Sequence, residues 1–333
     1  MVRTIREVAR IAGVSPTTVS QILNNKGNFR EETRRRVLET AARLGYTVER
    51  APCKTLKHLA VIFPMSLPTG IASNELYQEI YEAITRQLPP GVSVLAAPND
   101  PNFVPLNSAM TQRRIDAAII FGTGVNHPIV QQLAASRVPT LLIMRQTAAP
   151  HLHWVSIDHC QAAYDATRHL LSLGHRDIVF IINHDTTGYV EQRIAGFKHA
   201  LAEAGVSVKD DQVLIHIDSD QPDAVERVFA RDPFPTAIFT SPDTLAIRCI
   251  EKAKNLGLHV PRDLSIIGFD NLAGASQCDP PLTTISFSRQ TLGELSVEIL
   301  QMVLERKLIS VSAVIPHILV ERGSTAPPRT KPA

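Results

Sequence analysis

Pro16, Thr17, Thr18, Ser20, Gln21 and Asn24 recur along one short segment, between stretches that carry lysine and arginine. The chemistry available to them is hydrogen bonding, because hydroxyls and carboxamides both donate and accept. A polar face of this kind in a basic segment suits the edges of bases in the major groove of DNA. A three-helix module for protein–protein contact is the alternative that spacing and charge leave open. No catalytic set competes with this reading. Ser, His and Asp are scattered without nucleophile-elbow or metal-ligand spacing. The G-x-G of FGTGVNHP (121–128) lacks the third glycine and the following acidic residue of a dinucleotide fingerprint, and reads as a turn. Cys53, Cys160, Cys249 and Cys278 lie far apart, as expected of reduced thiols rather than a disulfide framework or zinc site. Neither metal nor cofactor is expected, and the chain does not read as an enzyme.

The polar face needs a scaffold, and residues 4–46 supply three short helices. Thr4 and Glu7 match a Thr-x-x-Glu capping box, Ile5, Val8, Ala9 and Ala12 follow at helical spacing, and Gly13 marks the stop. Ser15 caps a second helix with Pro16 in its first position, and Val19, Ile22 and Leu23 form its apolar stripe. Only Gly13 and Val14 separate the two, so they cross steeply as a helix-turn-helix. A third helix, about 31–44, is expected to bury Val37, Leu38, Ala41 and Leu44.

Charge divides the chain in the same place. Residues 1–58 hold 12 basic and 5 acidic side chains, and the remaining residues hold 22 and 27, so a basic head precedes an acidic body. That is the pattern expected if only the head meets phosphate. With 333 residues there is room for two or three domains. No apolar run approaches a membrane span, and the first residues belong to a charged helix rather than a signal sequence. A cytoplasmic protein is expected.

From Leu59 onward, β-branched runs alternate with amphipathic stretches: LAVIFP, VSVLAA, AAIIFG, TLLIM and WVSID, then DIVFII, VLIHI, TAIFT and LSIIGFD. Buried strands alternating with helices predict parallel sheets covered on both faces, in two doubly wound α/β subdomains. The expected division is a head over 1–47, a hinge or linker over 48–58, a core over 59–325 and a tail over 326–333. The first subdomain takes about 59–158 plus 286–313, the second about 159–285 plus 314–325, and 314–321 is read as one strand. The tail has no leucine heptads and so no tetramerising helix.

AGVSPTTVSQILNN followed by EETRRRVLETAARLGY is similar to the DNA-binding head of the lactose-repressor/galactose-repressor family of bacterial transcription regulators. HLLSLGHRDIVFI, RIAGFKHALAEAG, VPRDLSIIGFDN and PPLTTI resemble family segments in the expected order, so the resemblance covers essentially the full chain. It implies a periplasmic-binding-protein-like core with an effector in the cleft at the strands' carboxyl ends. It also implies base-reading positions at Pro16, Thr17 and Gln21. Most members have arginine where this chain has Gln21. Arginine reads guanine, whereas glutamine pairs best with adenine, so the operator is expected to depart from G toward A there. Thr4, Ser15, Thr18, Ser20 and Asn24 read as phosphate contacts, which set register and salt-dependent affinity.

In family members the linker forms a hinge helix that pushes a leucine into the minor groove. The counterpart here is Leu56, although Pro52 interrupts the hinge; a shifted hinge helix and an unstructured linker both remain open. In the core, Arg193 of RIAGF and Asp270 of GFDN match effector-binding positions, and a pairing of the two across the cleft is the alternative. Asp243 matches a third such position, with helix capping as its alternative. Pro242 stands where many sugar-binding members have asparagine, which opens the range from a plain sugar to a sugar acid or sugar phosphate, with Arg145 and His184 as further partners for an anion. The expected protein is a homodimeric, effector-controlled regulator, a repressor, on a near-palindromic double-stranded operator. A solute-binding protein without a DNA role, or an α/β enzyme, is the rival; the first would need an export signal and the second a catalytic set.

Overall fold

A computed structural model describes residues 4–23, 29–44, 55–64, 74–112, 114–183, 189–216, 223–306 and 310–329. The head consists of α1 (Ile5–Ala12), α2 (Pro16–Leu23) and α3 (Glu31–Arg43). Gly13 ends α1 in the left-handed region at φ 64°, which a glycine adopts without strain, and Val14 N–H donates back to Ala9. Ser15 caps α2 through a 3.0 Å bond from Thr18 N–H. Thr4 occupies the cap position of α1 but makes no side-chain cap bond, so the expected capping box does not form.

Val8, Ala9, Ala12, Val19, Ile22, Val37 and Ala41 close a small core of the head's own. Leu38, expected inside, is 39% exposed. The inward face of α3 runs through Val37, Thr40 and Ala41 instead. Thr40 is tolerated there because its hydroxyl donates to the Arg36 carbonyl at 2.7 Å.

The core follows in order as β1 (His58–Phe63), α4 (Glu75–Gln87), β2 (Ser93–Pro98), α5 (Val104–Thr111), β3 (Ala117–Phe121), α6 (Pro128–Ala135), β4 (Thr140–Ile143) and β5 (Leu152–Ile157). Next come α7 (His159–Ser172), β6 (Ile178–Asn183), α8 (Tyr189–Glu203), β7 (Val213–His216), α9 (Ala224–Phe229), β8 (Ala237–Ser241), α10 (Asp243–Asn255), β9 (Ser265–Phe269) and α11 (Ala273–Gln277). The last elements are β10 (Thr283–Phe287), α12 (Arg289–Arg306), β11 (Ser312–Ile315) and β12 (His317–Val320). The first sheet has the order β11-β5-β4-β3-β1-β2 and is parallel throughout. The second has the order β12-β10-β9-β8-β6-β7, with only β12 antiparallel to its neighbour. The central strands are buried along their length, which is why their sequences read as unbroken apolar runs rather than alternating ones.

The chain crosses between the sheets three times: after β5, after β10 and after β11. The last crossing corrects the expected strand over 314–321. Ser312–Ile315 pairs with β5 in the first sheet, and His317–Val320 pairs with β10 in the second. Pro316 lies between them, where its missing N–H removes a ladder donor and favours the change of sheet. The division therefore falls at Pro316 rather than between 313 and 314, and Ser286 and Phe287 belong to the second sheet. The expected tail is not loose through Arg329. Ala326 exchanges two hydrogen bonds with Ser265, its carbonyl meets His175 Nε2 at 2.9 Å, and Arg329 pairs with Asp263 at 2.7 Å.

Candidate functional site

On the head, Val19 and Ile22 anchor α2 inward, which turns Pro16, Thr17 and Gln21 outward as an exposed group. Thr18 and Ser20 are half-buried, while Ser15 and Thr4 are exposed. The Ser15 hydroxyl lies 2.9 Å from that of Thr18, so the two act as a coupled pair at the helix start. Asn24, Pro52 and His184 lie outside the described residues. Leu56 departs from the wedge expected of it. It is buried among Leu59, Val61 and their neighbours in the main core cluster, and a side chain committed to that packing is not available to a DNA groove in this arrangement.

In the core, the carboxyl ends of the second sheet's strands bring together residues far apart in sequence. Arg193 lies early in α8 and is buried. Its Nε–H donates to His159 Nδ1 at 3.3 Å, one Nη donates to the Ser241 hydroxyl, and the other stands 3.6 Å from Asp270 Oδ1. The guanidinium lies over two aromatic rings, with Cζ 3.6 Å from the Phe269 ring centre and 4.4 Å from that of Tyr189. A desolvated cation over such faces gains about 2 kcal/mol, which offsets part of the cost of burying the charge. Arg193 and Asp270 therefore do pair, but both belong to the second sheet. The pairing runs along one wall rather than across the cleft.

Asp270 follows β9 with φ 106°, a strained conformation for a non-glycine residue and of the kind that marks functional positions. Burial pushes its carboxyl upward, against the pull of Arg193 and Arg289. Its Oδ1 has no hydrogen-bond partner among the described residues, because 3.6 Å is an ion-pair distance only. Asn183 Oδ1, at the carboxyl end of β6, is a second buried acceptor in that state.

Asp243 lies close by but faces the scaffold. Its carboxylate accepts from the Thr284 hydroxyl at 2.6 Å and from Leu272 N–H at 2.8 Å, which holds the loop that carries Asp270. Burial pushes its pKa up to about 7, with the hydrogen bond from Thr284 opposing and the nearby Asp270 charge adding to the rise. Both oxygens are thus engaged internally, and Asp243 shapes the site instead of lining it. Arg145, two residues past β4, is partly buried at the carboxyl end of the first sheet.

Five further residues of the site, His159, Tyr189, Ser241, Phe269 and Arg289, carry no motif in the sequence. Arg289 is the most connected: one Nη meets Glu79 of α4 at 3.1 Å, and the other reaches the Asp270 and Asn271 carbonyls. Glu75 of α4 accepts from Ala273 N–H at 2.7 Å, a second tie between the subdomains. The available signal was positional: each of these three residues, Ser241, Phe269 and His159, ends a buried strand or begins the helix after it.

Among the described residues, no group of three or more His, Cys, Asp or Glu is arranged to hold a metal ion, and no helix is long and apolar enough to cross a membrane.

The model of bacterial regulatory proteins of the lacI family matches residues 4–49, and that of a periplasmic binding protein-like domain matches residues 167–325. The chain is 33% identical to the HTH-type transcriptional regulator DegA of Bacillus subtilis, with 99% of this chain and 100% of the relative covered. It is 30% identical to catabolite control protein A of Priestia megaterium, covering 97% and 99%. Among solved structures, a complex of the transcriptional regulator CelR with cellobiose superposes with a TM-score of 0.74 at 22% identity, covering 97% of this chain and all of the other.

Proposed function

Because the chain belongs to the lacI family of bacterial regulatory proteins, we propose that it represses transcription by holding a near-palindromic operator as a homodimer and releases or tightens that hold when a small carbohydrate-like effector enters its core. It is a DNA-binding transcription regulator and not an enzyme. The observation that carries the reading is the joining of a self-contained helix-turn-helix, with Pro16, Thr17 and Gln21 exposed, to a two-sheet core with a polar site at its strand ends. One head reads too few base pairs for genomic specificity, and two related by a dimer axis read an inverted repeat. A protein that works on the chromosome works in the cytoplasm.

On the head, Gln21 is the base-reading residue that sets this chain's preference, for adenine over guanine, with Pro16 and Thr17 beside it; Thr4, Ser15, Thr18, Ser20 and Asn24 hold phosphates. In the core, Arg193 and Asp270 hold the effector. A hydroxyl-bearing ligand supplies the donors that Asp270 Oδ1 and Asn183 Oδ1 lack. The cellobiose carried by the structurally similar CelR supports the same class. An acidic or phosphorylated sugar would draw on Arg145 as well. The effector acts by preferring one pose of the two subdomains, so its influence equals its differential affinity for the two.

A gel shift with the DNA upstream of its own coding region tests the reading. A specific complex that weakens or strengthens with a sugar is expected, and the absence of any specific complex under every ligand condition overturns it. A thermal-shift screen over sugars, sugar acids and sugar phosphates identifies the class, since a ligand at 100 times its dissociation constant stabilises by about 2.7 kcal/mol.

A further inference from the structure

Each of the three crossings between the sheets is followed at once by a basic side chain: His159 after β5, Arg289 after β10 and His317 after β11. Two of them rest on carboxylates. Arg289 meets Glu79 at 3.1 Å, and His317 meets Asp165 at 2.9 Å. His159 meets a cation. It is fully buried, its Nδ1 accepts from Arg193 Nε–H, and its ring lies 5.3 Å from that of Tyr189. An imidazole can accept at Nδ1 only when neutral with its proton on Nε2. Burial and the Arg193 charge both hold it neutral, well below the usual imidazole range. The Met144 carbonyl opposes part of that fall, and Nε2 has no hydrogen-bond partner among the described residues.

We infer that His159 is a positioning residue that ties Arg193 to the first crossing between the subdomains, so that the aim of the guanidinium and the conformation of the crossing change together. The inference rests on the effector reading of Arg193 given above. Arg193 uses its fork in three directions, toward His159, Ser241 and Asp270, and its guanidinium also lies over the Phe269 and Tyr189 rings. A planar, rigid fork cannot redirect its Nη groups to a ligand without turning Nε as well. Turning Nε away leaves a buried acceptor unmatched on His159, and the simplest relief is movement of the residue one step from the crossing peptide. A ligand held by Arg193 thereby reaches the joint between the sheets without touching it.

Side-chain geometry gives a sharp test. Asparagine places a carbonyl oxygen at the position of Nδ1, glutamine carries it one bond further out, and leucine has no acceptor. Hydrogen exchange is measured on the full-length, ligand-free protein in two stretches, residues 155–163 and 189–197. His159→Leu is expected to speed exchange about tenfold or more in both stretches, as loss of a buried hydrogen bond to a charged group implies. His159→Gln follows leucine, while His159→Asn stays within about twofold of the parent in both. Arg193→Lys, which has no Nε, is expected to speed exchange at 155–163, and adding His159→Gln to it brings no further change there.

The inference is overturned if asparagine and glutamine behave alike, if each substitution affects only its own stretch, or if the two effects simply add. Should the leucine variant fail to fold, the glutamine, asparagine and lysine variants decide the matter by themselves. No sugar or operator enters the measurement. A chain that binds neither would refute the proposed function while leaving this result standing, and the reverse outcome is equally distinct.

Discussion

Alanine in place of Gly196 tests how closely the site depends on the contact between α7 and α8. A Cβ built on Gly196 falls 2.0 Å from the Cys160 carbonyl oxygen, 2.9 Å from its carbon and 3.0 Å from Tyr164 N. All three are backbone atoms of the facing helix, so no side-chain rotation relieves the overlap. The helices must separate by about 1 Å to reach even the shortest tolerated contact, in an interior packed to crystal density. Overpacking of this severity costs about 3 kcal/mol. For a cooperative unit of roughly 150–250 residues, each kcal/mol lowers Tm by about 2–4 °C, so the expected loss is about 6–12 °C. The displacement also acts on the site, because Cys160 adjoins His159 and Arg193 lies one turn before Gly196. The assay is a thermal melt of the full-length protein, with Gly205→Ala as the reference. Gly205 has φ 67° but nothing within 4 Å of the added methyl, so it reports backbone strain alone, about 1 kcal/mol. A Gly196→Ala melt no lower than that of Gly205→Ala refutes the packing argument.

Three further outcomes follow from described contacts. Burial, with a smaller push from His151, pulls His153 down to about 4, while its Nδ1 accepts from Val311 N–H at 3.0 Å. The unfolded chain takes up that proton near pH 6.5 and the folded chain does not, so this stability is present above pH 6.5 and is lost as pH falls. Denaturation midpoints should report a loss of about 1–2 kcal/mol at pH 5 after allowance for screening, and His153→Asn, which keeps an acceptor, should flatten the slope. Asp243→Asn should retain the Leu272 and Thr284 contacts by donating to the Thr284 hydroxyl, and should melt no lower than the parent at pH 8, where a buried carboxylate is penalised. Asp243→Ala leaves Leu272 N–H unmatched and should melt several degrees lower; equal melts for the two would contradict the scaffold role. Gln21→Arg should move the preferred base from A to G by about 1–3 kcal/mol in sites selected from random DNA, and an unchanged site would remove Gln21 from the base-reading group.

Much of this molecule was legible because its signals are local. Gly13, Ser15 and Pro16 announce the turn of the head, and the apolar runs announce each central strand, since both depend on neighbours in the chain. The misses share a different cause. Whether Leu38 or Thr40 faces inward depends on the rotation of α3, which only its partners determine. The burial of Leu56 requires the rest of the first subdomain to exist. Pro316 within VIPHILVE was a visible break, but that the two halves join different sheets is a property of the pairing. At the site, Arg193 and Asp270 are marked by the family resemblance, whereas a single histidine after a strand, such as His159, has no local signature. Its role depends on an arginine 34 residues away.

The three crossings also bear on the order in which the protein is made. The first sheet lacks its edge until β11 is synthesised, and the second until β12 and the Ser324–Ala326 bonds follow. Neither subdomain is therefore complete until β11, β12 and Ala326 have left the ribosome, whereas the head's own apolar cluster lies within residues 4–44. A chain cut short by a premature stop or a protease would carry a finished DNA reader on an unfinished sensor. Such fragments would carry single heads, each reading too few base pairs to hold an operator specifically, and the exposed apolar strands of their incomplete sheets would mark them for removal.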